Sequence, residues 1–218
     1  MSNNLIYAKF IPIFPLNLVA YPGEKLNLHI FEPRYIQLIK ECSEEGKTFG
    51  IPVVNNKELL EYGTEMQLEK IRKVHDTGEM DIEVRGLHVI RVLEVIKEVP
   101  EKLYAGAIIS VVQNIEDSHN KLLEELRFFA TELFDLLEIK EDILKPDFSF
   151  NSFRLAHYVG FDIVSEYELL RHPRETARQK IIVEHIKKIL PTIKQIAEIK
   201  EKAKLNGHYR MVNPPEGF

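Results

Sequence analysis

The chain is poor in the residue types on which compact chemical motifs depend. It has one cysteine and no tryptophan in 218 residues. A lone thiol, Cys42, excludes an intramolecular disulfide, so burial must hold the fold, and a cytoplasmic setting is the simple reading. Cys42 follows Ile39 by three residues on the apolar side of a predicted helix, which marks a small core residue rather than a nucleophile. No apolar run reaches the length of about 18 residues needed to cross a bilayer, and the N-terminus lacks a basic-then-apolar leader, so no membrane span is expected. A basic excess is missing too. Lys and Arg number 29 against 34 Asp and Glu, a net charge of −5, and the pI is near 5.9. That balance argues against nucleic acid or an anionic membrane as the default partner.

Catalytic spacing is equally scarce. Gly46-Lys47-Thr48 imitates the end of a phosphate-binding loop, but the first glycine of such a loop would fall at Glu41, and a helix rather than a strand precedes it. The eight histidines are scattered, with no H-E-x-x-H and no cysteine pair, which argues against a preformed zinc site. The few serines are expected to stand in neither a G-x-S-x-G nor an S-x-x-K setting. The expectation is a non-catalytic protein with neither metal nor cofactor.

What the chain has instead is punctuation and alternation. Residues 11–35 read IPIFPLNLVAYPGEKLNLHIFEPRY. Pro12, Pro15 and Pro22-Gly23 break an apolar run, after which Leu26, Leu28 and Ile30 alternate with Asn27 and His29, the period of a half-buried strand. Pro33 then opens a helix over about 33–45, at a position where its missing N–H costs nothing. Arg34 is the oddity, a cation in a first turn that favours anions. Either it pairs with a carboxylate or carbonyls elsewhere and locks the helix onto the sheet, or its planar guanidinium is held for a ligand carboxylate or peptide carbonyl.

Further strands are expected at 50–54, 64–71, 80–84 and 105–112, with a hairpin turn at Asp76-Thr77-Gly78. At Gly86 the apolar phase slips from Met80, Ile82 and Val84 to Leu87 and Val89, the mark of a bulge that curls a sheet. The second half is helical. Asp117 or Ser118 is placed to cap a helix carrying Leu122, Leu126, Phe129, Leu133 and Leu136. Residues 145–150 interrupt the pattern, a helix from about 151 stops at Gly160, and Ser165 with Glu168 suggests a capping box. A last helix from near Pro173 should kink at Pro191 and end at Asn206-Gly207. The fold class is therefore α+β: a small, partly closed β-barrel with one inserted helix in residues 1–115, an α-helical bundle in 116–206 and a tail in 207–218.

The block Phe31-Glu32-Pro33-Arg34-Tyr35 resembles the N-terminal domain of Lon proteases. So does the order of Phe49-Gly50-Ile51, Tyr62-Gly63-Thr64 and the run from Asp81 to Val92. On this resemblance Pro15, Pro22, Gly23, Phe31, Glu32, Pro33, Tyr35, Gly50, Gly63 and Gly86 are motif residues of a PUA-like barrel. Full-length Lon proteases add an ATPase and a Ser–Lys peptidase, and this chain ends at Phe218 without either, so the resemblance implies only the recognition role. Its partners would be unfolded or tagged polypeptides, with a separate protease as a further candidate and the oligomeric state left open.

The expected binding place is a cleft between barrel and helices, since domain junctions favour concave sites. Candidate contacts are Phe14, Tyr21, Arg34, Phe148, Phe150 and Phe153, each with core or loop packing as its plainer role; at least two exposed, adjacent aromatics would make a docking patch. Two other classes stay open. Some PUA-like proteins bind RNA, for which Lys70, Arg72 and Lys73 form the best cluster. A small-ligand enzyme using carboxylates or His29 would need converging titratable groups.

Overall fold

The protein is described by a computed structural model covering residues 8–140 and 151–209. The first half builds β1 (Ala8–Pro12), β2 (Lys25–Ile30), α1 (Pro33–Glu45), β3 (Phe49–Asn55), β4 (Glu58–Val74), β5 (Met80–Ile96) and β6 (Gly106–Val111). These strands form one antiparallel sheet in the order β1-β6-β5-β4-β3, with β2 added to β5. Strand β5 organises it. Its first part pairs with β2 through residues 80–85, and its second with β6 through 90–96. The hand-over falls at Gly86. Met66 faces Gly86 while Glu65 faces His88, so Leu87 is the extra residue of a bulge, where the slip in apolar phase placed it.

No continuous ladder closes the sheet. Ile13 and Leu16, just beyond β1, make isolated parallel bridges to Gly50 and Val53 of β3, through Phe14 N–H to the Gly50 carbonyl at 2.8 Å and Val54 N–H to the Leu16 carbonyl at 2.8 Å. Inside the curl lie Phe49, Ile51, Met66, Met80, Ile82 and Val84, covered by Tyr35, Leu38, Ile39 and Cys42 of α1. Pro33 is at the start of α1 and Gly46, at φ 66°, ends it. Burial pushes the Cys42 thiol up to about 11, which suits an inert core residue.

The second half comprises α2 (Asn120–Leu137), α3 (Ser152–Leu155) with a 3₁₀ turn at 156–158, α4 (Ile163–Arg171) and α5 (Glu175–Tyr209). Its helix starts differ from expectation. The His119 ring, not Asp117 or Ser118, accepts from Leu122 N–H to cap α2. Asp117 instead accepts from the N–H of Thr176 at 2.9 Å, so it serves the first turn of α5. That backbone hydrogen bond, helped by Arg174, holds its carboxyl near about 2. Asp162, not Ser165, caps α4, by accepting from the N–H of Ser165. Helix α5 continues through Pro191 and past Gly207 to Tyr209.

Helices α2 and α5 run side by side in the same direction, with Lys187 on Glu125 at 2.6 Å and Lys194 on Glu132 at 2.5 Å. The two halves share a core, because Val19, Tyr21, Val53 and Val89 of the β-rich part pack with Leu126, Phe153, Leu169 and Ile186. Among the described residues no helix is long and apolar enough to cross a membrane.

Candidate functional site

The turn at 21–24 is where the halves meet, and its chemistry follows from Pro22-Gly23-Glu24. Gly23 adopts φ 83°, a left-handed conformation that glycine takes without steric penalty, and the Glu24 carboxylate folds back to accept from Tyr21 N–H at 2.9 Å. Gly86 then receives the turn through two backbone hydrogen bonds, Gly23 N–H to its carbonyl at 2.8 Å and its N–H to the Glu24 carbonyl at 2.9 Å. This arrangement sends Tyr21 across into the helical half. Its ring stacks on Phe153 at 5.2 Å, and its hydroxyl donates to the Glu166 carbonyl at 3.1 Å. Burial, reinforced by the Glu166 and Glu24 carboxylates, pushes the Tyr21 phenol far above its usual range.

His157 completes the junction. One ring nitrogen lies 2.6 Å from a Glu166 carboxylate oxygen and the other 3.2 Å from Glu24. Hydrogen bonds to Glu166 and then Glu24 outweigh burial and raise the imidazole to about 10, so it is an imidazolium bridging two elements at neutral pH. A group whose pKa is raised on folding stabilises fully below its unfolded value of about 6.5. This contribution is then lost as pH climbs through about 10. With the ring about one-third exposed, solvent screening leaves on the order of 1–2 kcal/mol. Denaturant midpoints measured across that window should fall further in the wild type than in His157→Gln; parallel falls would deny the bridge.

Above this junction opens a cleft of about 780 Å³, with Tyr21, Glu24, Phe153, His157 and Tyr158 at its base and Lys25, Arg85 and Arg154 around it. At this rim Lys25 reaches Glu69 at 2.8 Å, and Arg85 pairs with the same carboxylate. Among the described residues, none of those lining it is a serine, threonine or cysteine. Hydrogen bonds that it donates to Glu69 and Glu83 raise the Lys25 amine, which disfavours it as a nucleophile. A second hollow, around Phe128, is lined by α2 alone and joins no other element.

The residues singled out from sequence divide sharply. Tyr21 and Phe153 come together at the cleft, but both are buried, so they form its packed floor rather than an exposed patch. Phe14 is buried against Tyr35, ring centroids 4.0 Å apart. Arg34 pairs with Glu32, two residues before it, at 2.6 Å and lies 4.6 Å over the Tyr35 ring. Neither Phe14 nor Arg34 lines the cleft. Phe148 and Phe150 lie outside the described residues. Lys70 and Arg72 turn onto Glu83, whose carboxyl is held near about 2, chiefly by Arg72 and Lys25. Ser118-His119-Asn120-Lys121 does have an S-x-x-K spacing, which corrects the expectation that no serine stands in one. Its hydroxyl donates to the Gln179 side-chain oxygen at 2.9 Å and joins α2 to α5.

Relatives agree with the architecture. Residues 11–206 match the family model described as the ATP-dependent protease La (LON) substrate-binding domain. A Lon N-terminal domain protein from Xanthomonas campestris is similar in structure, with TM-score 0.63 and 25% identity, covering 81% of this chain and 98% of that one. The N-terminal domain of Mycobacterium avium complex Lon protease shares the fold at TM-score 0.63 and 12% identity, covering 82% and 98%. A LON peptidase N-terminal domain and RING finger protein of Schizosaccharomyces pombe is 30% identical over 104 residues, 39% of this chain and 21% of its own length. The chain thus spans about a fifth of that relative. The bulged six-stranded sheet, the helix opened by Pro33 and the match through residue 206 make this chain a member of the LON substrate-binding domain family.

Proposed function

We propose that the chain is a non-catalytic polypeptide-recognition module that holds extended segments of unfolded or tagged polypeptides in the cleft between its β-rich and helical halves. The observation that carries this reading is the floor of stacked Tyr21 and Phe153 under Lys25, Arg85 and Arg154. Apolar side chains of a bound segment would lie on the partly exposed Tyr158 ring above this packed floor, while its carbonyls and carboxylates meet the rim. The family description, a substrate-binding domain, supports the same role. Delivery to a separate protease in a cytoplasmic setting belongs to this proposal. So does the division into a β-rich unit over 1–115, a helical unit over 116–206 and a tail.

The test is fluorescence anisotropy with a labelled, permanently unfolded protein, comparing wild type with Tyr158→Ala and Arg154→Ala. Tyr158 is partly buried and Arg154 exposed, so neither change removes a fully buried side chain. Each should weaken binding about tenfold, the scale of a contact worth 1–2 kcal/mol. Equal affinity in variants that keep their circular dichroism and melting temperature would sink the assignment to this cleft.

A further inference from the structure

Two histidines that lie far apart in sequence meet at the other end of β2 from the cleft. His29 stands directly opposite Asp81 in the β2–β5 ladder. His75 follows β4 at the hairpin turn, where its N–H donates to the Glu79 carbonyl at 2.8 Å. Three neighbouring backbone segments therefore fix three side chains. His29 Nδ1 lies 2.7 Å from one Asp81 oxygen, and His75 Nε2 lies 2.8 Å from the other. All three ligand atoms fall within 4.8 Å of one another, the one such group of three among the described residues. On the far side of the His29 ring, Nε2 sits 3.5 Å from a Glu79 oxygen.

That last contact governs the chemistry. A neutral imidazole has one N–H and one lone pair. In the tautomer whose N–H is on Nε2, toward Glu79, the Nδ1 lone pair of His29 faces an Asp81 lone pair 2.7 Å away, which is repulsive unless a cation lies between them. A carboxylate behind a histidine is also the usual outer partner that orients a metal-binding ring. We propose that His29, His75 and Asp81 form a binding site for a zinc-class dication, with Glu79 positioning His29 from behind. Two imidazoles and a carboxylate suit zinc, cobalt or nickel rather than calcium or magnesium, which prefer oxygen alone. Tetrahedral bonds near 2.1 Å put ligand atoms about 3.4 Å apart, so each imidazole nitrogen must draw back from Asp81 by roughly 0.6 Å. Their partial exposure, 49%, 29% and 40% for His29, His75 and Asp81, leaves room for that and gives an ion access. Binding releases whatever protons the two rings carry.

Calorimetric titration of untagged, chelator-treated protein with Zn²⁺ is the direct test. One ion per chain should bind, and His29→Asn and His75→Gln should each weaken it by at least about tenfold, since even outer-shell changes cost 10- to 100-fold. His88→Gln, an exposed histidine outside the group, should leave the titration unchanged. Nitrogen NMR of the imidazoles reads the same site without any substitution, through Zn²⁺-induced shifts at His29 and His75 together. Failure to take up Zn²⁺, uptake indifferent to both substitutions, or shifts at other rings alone would reduce the cluster to a hydrogen-bonded His–Asp–His group and overturn the proposal. The polypeptide cleft stands or falls separately.

Discussion

Replacing Arg178 with alanine should cost about 3–5 kcal/mol of folding stability, the loss expected when one partner is removed from a buried ion pair. The Arg178 side chain is 1% exposed and that of its partner Glu175 2%. Its guanidinium donates to Glu175 at 2.8 Å, to the Ser152 hydroxyl at 2.8 Å and to the His172 carbonyl at 2.7 Å, and lies 4.1 Å over the Phe153 ring. Truncation leaves the Glu175 charge buried without its cation. Water does not replace the guanidinium at once, because Ser152 and Gln179 beside it are themselves fully buried. Glu175 also accepts from Ser152 N–H at 2.8 Å and from Gln179 at 2.9 Å, so a paired apolar replacement of both ions would strand donors too. Arg178→Lys should recover only part of the loss, since an ammonium cannot reproduce the planar fork or its stacking. Urea unfolding gives the answer, and a loss under about 1 kcal/mol would mean the network is not the clamp its geometry suggests. Polypeptide binding should fail with it, because α3 carries Phe153 and the following turn carries His157.

The sequence disclosed the parts of this molecule whose causes are local. Strand β2 was legible because alternation assigns each side chain a face, and α1 because Pro33 and a left-handed Gly46 mark its ends. The slip at Gly86 announced a bulge for the same reason. Helix starts in the second half were misplaced where the cap serves a distant element. Asp117 precedes α2 in sequence yet satisfies Thr176, 59 residues away. The cleft shows the same divide. Tyr21 and Phe153 were chosen as bulky aromatics near turns, and they do meet. Glu24 and His157 were not chosen, because 133 residues separate them and neither carries a signature of the other. Arg34 drew attention through unfavourable local electrostatics, but Glu32 in the same turn already compensates it. His29 and His75 looked scattered because only the pairing of both β2 and β4 with β5 brings them together.

Alanine at Gly86 should be among the most damaging single methyl groups in the chain's β-rich half, alongside alanine at Gly63, whose Cβ would run into the backbone of Ile51 and Pro52. A Cβ there would stand 3.0 Å from the Tyr21 carbonyl carbon and closer still to its oxygen. The obstacle is backbone, and that backbone is held by the two hydrogen bonds that join Gly86 to Gly23 and Glu24. Relief therefore requires moving the 21–24 turn, which would drag Tyr21 off Phe153 and Glu24 off His157. A cost of about 3 kcal/mol or more is expected, at the upper end for overpacking because nothing nearby is free to give way. Gly106 supplies the contrast. A Cβ there also meets an atom too close, but the atoms belong to the far end of the Phe10 ring, which is 45% exposed. That ring can swing outward, so Gly106→Ala should cost about 1 kcal/mol at most. Measured side by side, the two substitutions separate backbone crowding from side-chain crowding. If Gly86→Ala proved as mild as Gly106→Ala, with binding of unfolded protein intact, the turn would not depend on this close approach, and the cleft would owe its shape to the helical half instead.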